Sequence, residues 1–443
     1  MTTRFALGLL LLMHGMWGSA MAQSTRPWSE LVIATVNNDH MLTLQRMGRH
    51  FEQQVPGLRL RWITLDEDQL RQAVTRDAAT GSGQFDVVTV GSYEAQAWGG
   101  KGWLQPLKPA AAYGLDDVLP RVREALTQNG RLHALPFYGE STMTMARRDL
   151  LQAANIKLSS PPTWAEITEA ARRLHRPEQG QYGICLRGKP GWGQNIALLS
   201  IMANTHGGQW FDMQWRPQLQ SNAWRQALSL HASLLTRYGP PGAAANGYNE
   251  NLALFAAGRC ALWVDATVAG NFLNQAGSSK VAGQVTYLPA PVASTPKGAQ
   301  WLWVWALAVP TESRQPALAQ RFIEWATSKD YARLVAAERG WQAVPGGTRL
   351  STYREAGYRA ANPHADTELQ AMEAADQTRP TLLPSPYIGI QWVGIPEFQS
   401  IGTAVGQLAA QLLPPESRPV DEVQARAQAL TDTKMRRKGY LKD

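Results

Sequence analysis

Leu31-Val-Ile-Ala-Thr-Val36, closed by the polar turn Asn37-Asn38-Asp39, is the stretch whose reading decides the fold. A short apolar run rich in β-branched residues and bounded by a turn signal reads as a buried strand. Helical periodicity follows over 41–54, then a second strand-like run over 58–64, a helix over 67–79 and a third strand over 85–90. Strands alternating with helices in this way predict an α/β fold with a doubly wound sheet. A further strand over 132–137 leads through Tyr138-Gly-Glu140-Ser141 into another over 142–146, and the first crossing between two lobes is placed there. Thr163 and Glu166, three residues apart, form a capping box that starts a helix in a second α/β segment, whose strands are 182–186 and 260–264. The segment 278–300 is rich in Gly, Ser, Pro and Ala and reads as a connection. It returns the chain to the buried strand 301–309, after which 316–328 is an amphipathic helix.

The chain has 443 residues, 44% hydrophobic and 18% charged, enough to bury a substantial core. The net charge of +8 is scattered, with one tight basic cluster at Arg436, Arg437 and Lys438, which argues against a nucleic-acid groove. Tryptophan is the anomaly, with 17 residues against 9 Phe. Residues 1–22 carry Arg4, the apolar run 6–13 and Ala20-Met-Ala22, the order of a secretory signal, so cleavage is expected before Gln23. The apolar run falls short of the roughly 20 residues that cross a bilayer, and no cysteine follows it to carry a lipid anchor. Cys185 and Cys260 both lie beside strands and are a candidate disulfide in an oxidising compartment, with two buried thiols as the alternative.

Catalytic signatures are missing from the chain: it has no H-E-x-x-H, no G-x-S-x-G and no phosphate-binding G-x-x-x-x-G-K-[ST]. The 8 His residues show no ligand spacing, so no metal or other cofactor is expected. What remains is a set of strand-end loops that place aromatic rings beside carboxylates, guanidinium groups and amides. These carry Asn38, Asp39, Tyr93, Glu140, Arg187, Trp192 and Asp265. Ligands of open α/β sheets bind outside the carboxyl ends of the strands, so the loops converge on one cleft. Carboxylates accept hydrogen bonds from neighbouring hydroxyls, Arg and Asn donate to hydroxyl oxygens, and aromatic faces cover C–H surface, which fits a polyhydroxylated ligand. Each assignment has a competitor. Asp265 could cap a helix, Arg187 could pair at the surface, and Glu140 could hydrogen-bond a hinge. Trp301, Trp303 and Trp305 share one strand face, with Trp305 the most readily assigned to core. Trp164, Trp224 and Trp325 are expected to pack within helices.

Several stretches resemble the family 1 extracellular solute-binding proteins of ABC transporters, the maltose-binding-like class, and within it the sorbitol/mannitol subgroup. They are Ile33-Ala-Thr-Val-Asn-Asn38, Thr64-Leu-Asp-Glu67, 84–93, Tyr182-Gly-Ile-Cys-Leu-Arg-Gly-Lys-Pro-Gly-Trp-Gly193, Asn246-Gly-Tyr-Asn-Glu-Asn251 and Trp263-Val-Asp-Ala-Thr267. The resemblance implies a two-lobed periplasmic binding protein fold of type II-like topology, each lobe a mixed sheet flanked by helices, with the ligand cleft between them. Expected boundaries are 23–138 with 301–350 for one lobe and 139–300 with 351–443 for the other. By the same resemblance Trp303, Gln391 and Trp392 enter the cleft, and a monomer closes by a hinge on a sugar alcohol and delivers it to membrane permease subunits. A mono- or oligosaccharide binder is the alternative within the class, and an exported hydrolase using Glu140 and Asp265 the alternative outside it. On this reading Asp265→Ala abolishes ligand-induced stabilisation and leaves the ligand-free midpoint almost unmoved.

Overall fold

The computed structural model describes residues 29–441, so the expected signal segment and its cleavage point lie outside the described residues. The strands are β1 (Ser29–Val36), β2 (Leu58–Leu65), β3 (Val87–Gly91), β4 (Thr127–Gln128), β5 (Arg131–Leu132), β6 (Leu135–Glu140), β7 (Thr142–Arg147), β8 (Tyr182–Cys185), β9 (Cys260–Ala266), β10 (Val285–Pro289) and β11 (Trp303–Ala308). One sheet has the order β2-β1-β3-β11-β6, with β1 parallel to β2 and β3, and β11 antiparallel to both its neighbours. The second has the order β10-β7-β9-β8, in which β8 and β9 are parallel. Two mixed sheets flanked by helices are therefore the cores of two lobes.

The helices α1 (Asp39–Gln54) and α2 (Glu67–Thr80) follow the expected alternation, and α3 (Ser92–Gly100) begins where a strand-end loop was expected. Asn38 caps α1, accepting from the Met41 amide at 3.0 Å, which satisfies one of the free N–H groups of the first turn. Leu31, Ile33, Val87 and Val88 are completely buried, as a strand covered on both faces requires. In the second lobe Thr163 and Glu166 form the expected reciprocal box at the start of the helix Trp164–Leu174. Cys185 and Cys260 are joined by a disulfide, their Cα atoms 5.9 Å apart.

Three local readings are corrected. The expected strand 132–137 is interrupted. Leu132 ends β5, which forms a two-stranded hairpin with β4, and β6 starts only at Leu135 and continues to Glu140. The connection 278–300 contains β10, which pairs antiparallel with β7 although its flanks are rich in turn-forming residues. The return strand 301–309 is shorter, because its first residues turn their backbone groups to side chains. The Trp301 carbonyl accepts from Ser141 Oγ at 2.7 Å, and the Leu302 carbonyl accepts from Gln377 and Gln391.

The chain crosses between the sheets at Ser141, between β6 and β7, and again between β10 and β11. The two crossings are tied together, because Ser141 bonds the Trp301 carbonyl while its amide donates to Thr267 Oγ1 at 3.2 Å. Beside them Gly139 and Gly347 approach so closely that a Cβ on either would strike the other's carbonyl oxygen, and Gly347 also has φ +71°.

Candidate functional site

A cavity of about 610 Å3 opens at the strand ends where the two sheets face each other. That volume is ordinary for a small-molecule site. Pairing between β6 and β11 builds one wall. Glu140 lies opposite Trp303, and Tyr138 opposite Trp305, so two indoles, a phenol and a carboxyl share a face. A register shift follows Trp305, where Ala306 pairs with Pro136; a bulge is where a proline without an amide hydrogen is tolerated in a sheet.

Arg187 forms the opposite wall. Its Nε lies 3.0 Å from both oxygens of Asp265, Nη2 is 2.6 Å from Oδ1, and Nη1 donates to the Gly193 carbonyl at 2.8 Å. Asp265 is fully buried and also accepts from Trp263 Nε1 at 3.1 Å and the Ala266 amide at 2.7 Å. The guanidinium lies over the rings of Tyr248 and Trp301, 5.5 and 5.4 Å from their centroids.

A second guanidinium closes the top. Arg71 on α2 bonds Glu67 one turn earlier, donates through Nε to buried Glu94 at 2.6 Å, and stacks 4.7 Å from the centre of the Trp192 ring. Trp192 in turn meets Tyr93 and Trp303, with ring centres 5.3 and 5.7 Å away.

Among the ten expected ligand-binding residues, Asn38, Glu140, Arg187, Trp192, Trp303 and Gln391 line this cavity. Asp39, Tyr93, Asp265 and Trp392 do not. Asp39 is exposed in the first turn of α1. Tyr93 and Trp392 stand behind Trp192: their rings meet edge to face at 5.5 Å, and Tyr93 donates its hydroxyl to the Ile395 carbonyl at 3.0 Å. Asp265 acts on the wall through Arg187. It is a strand residue rather than a helix cap, and its partner is buried rather than at the surface. Trp305, assigned to core, lines the cavity, while Trp164 and Trp224 are buried packing residues and Trp325 packs on Phe51, Phe322 and Tyr331. Sequence reasoning did not select Glu67, Arg71, Gln194, Tyr248 or Trp301. A signal existed for most of them: Glu67, Tyr248 and Trp301 sit in stretches already singled out, and Glu67 with Arg71 has the i,i+4 spacing of a helix pair.

Four buried polar atoms on this lining have no partner within the protein among the described residues: Gln194 Oε1, Tyr248 Oη, Trp301 Nε1 and Gln391 Oε1. The Glu140 carboxyl faces the same space, and burial raises its pKa to about 8 against the pull of Arg187.

Residues 34–333 match the family described as bacterial extracellular solute-binding protein. The chain belongs to that family. A mannitol-binding protein of Pseudomonas aeruginosa is 51% identical over 413 residues, which are 93% of this chain and 94% of the relative. An ABC transporter solute-binding protein of Agrobacterium vitis S4, solved with bound D-mannitol, superposes with a TM-score of 0.90 at 48% identity, over 94% of this chain and all of the other. A maltose-bound protein of T. maritima shares the fold alone, with a TM-score of 0.78 at 18% identity over 91% of this chain and 99% of the other. These relatives of the solute-binding family are binding proteins, and the family is extracellular.

Proposed function

We propose that this solute-binding protein captures a linear sugar alcohol of the mannitol, sorbitol and arabitol type and delivers it to the membrane permease of an ABC importer. The observation that carries the reading is the mixture of unpartnered groups on the cavity lining. Trp301 Nε1 can only donate, Gln194 Oε1 and Gln391 Oε1 can only accept, and Tyr248 can do both. A ligand hydroxyl is both donor and acceptor, so a chain of hydroxyls satisfies all four, each otherwise costing about 1–3 kcal/mol. The mannitol-binding relative and the mannitol-bound homologue support a linear alditol over a ring sugar.

In this reading the lobes follow the expected division with one shift, since β6 carries the first lobe to Glu140 and the second starts at Ser141, with 301–350 returning to the first and 351–443 to the second; closure about the crossings at Ser141 and Trp301 traps the ligand. The protein acts as a monomer without a cofactor, in the periplasm, after cleavage before Gln23. It is not an enzyme. Asp265 is sealed behind Arg187, away from the cavity lining, which speaks against the Glu140 and Asp265 pair as the two carboxylates of a glycoside hydrolase. Titration calorimetry with mannitol, sorbitol, arabitol, glucose and maltose tests the assignment. Tight binding of an alditol is expected, and tight maltose binding with no alditol bound overturns it.

A further inference from the structure

The cavity wall is not neutral. Its carboxylates are Asp66, Glu67, Asp68, Glu140 and Glu250, against the cations Arg71, Arg187 and Lys189. Both guanidinium groups are already matched: Arg71 by Glu67 and Glu94, Arg187 by Asp265. Lys189 is exposed at the rim, where water screens it. Glu140 is different, because its carboxyl has no hydrogen bond or ion pair within the protein among the described residues, and it lines the cavity together with Trp303, its partner on the next strand. A carboxyl group and an aromatic ring lining one cavity are the two groups that can hold an ammonium, one through charge and the other through the ring quadrupole.

We infer that the cavity also takes cationic alditols, linear polyols ending in a protonated amine, with the ammonium held between Glu140 and Trp303, and that it excludes anionic polyols such as hexonates. This rests on the alditol reading above and goes beyond it by assigning the charge of the ligand. Burial raises the Glu140 pKa to about 8, with Arg187 drawing it down and Asp265, Glu67 and Glu368 pushing it up. An arriving ammonium supplies the compensating charge that this position lacks. A carboxylate in the same place meets no free cation, and burying an unpaired charge is strongly unfavourable.

Calorimetry of the full chain at pH 7 with D-mannitol, 1-amino-1-deoxy-D-mannitol and D-mannonate tests the inference. The amine is expected to bind within tenfold of mannitol, and mannonate more than tenfold weaker. In Glu140→Gln the ratio of amine to mannitol affinity should drop at least tenfold. Mannitol binding with the amine more than tenfold weaker, or with mannonate equal to mannitol, overturns the inference and leaves the alditol reading standing. An amine-to-mannitol ratio unchanged in Glu140→Gln also overturns it. Binding of none of the three overturns the alditol reading itself. The wild-type titrations decide the matter even if Glu140→Gln does not fold.

Discussion

Asp265 exposes no surface, and its oxygens are committed to Arg187, Trp263 and the Ala266 amide. Removing it leaves a buried guanidinium without its anion, which costs about 3–5 kcal/mol in comparable buried pairs. Asp265→Ala should therefore lower the ligand-free melting temperature as well as weaken binding, contrary to the expectation from sequence that only the ligand-induced shift would disappear. Thermal denaturation without ligand checks this, and an unmoved midpoint contradicts the structural role. Glu140 makes the opposite kind of prediction, with a definite sign. Its folded pKa of about 8 lies above the 4.5 of a free carboxyl, so the folded state holds the proton more tightly between those values. Its contribution to stability is full below about pH 4.5 and is lost as pH rises to about 8. The melting temperature of Glu140→Gln minus that of wild type should accordingly grow by roughly a few degrees from pH 5 to pH 8 and level off above. Scanning fluorimetry across that range reads it, and a flat difference would show that Glu140 is not buried as described.

At the scale of elements, α2 reaches across the cavity. It follows β2 of the first sheet, yet Arg71 rests on Trp192, which follows β8 of the second. Arg71→Lys keeps a charge for Glu94 but loses the flat cation over the indole, a contact worth about 0.5–2 kcal/mol. Mannitol should then leave roughly two- to thirtyfold faster. Stopped-flow tryptophan fluorescence measures the rate, and an unchanged rate removes the contact from the closing mechanism. Elements are also where the chain was most legible. α1 and α2 fall within two residues of their expected limits because apolar periodicity and caps such as Asn38 are local signals. β10 was not legible, since a strand set among Gly, Ser and Pro is stabilised by its partner β7 and not by its own propensity.

For the whole molecule, the alternation of strand and helix, the loops that carry the site and the family resemblance were present in the linear chain. They placed six of ten expected residues on one cavity. The other four show the limit. Tyr93, Asp265 and Trp392 lie one layer behind the lining, and sequence spacing cannot tell a residue that touches a ligand from one that holds its neighbour in place. The tryptophan excess divides in the same way: Trp192, Trp301, Trp303 and Trp305 line the cavity, and Trp392 backs it. Local periodicity and turn chemistry determine which segments become strands and helices, because those preferences act over a few residues. Only the tertiary structure decides which side chains face the cavity and which charges are already paired. Both depend on register and packing between segments as far apart as Arg187 and Asp265, or Glu140 and Trp303, and those long-range contacts leave no mark on local spacing.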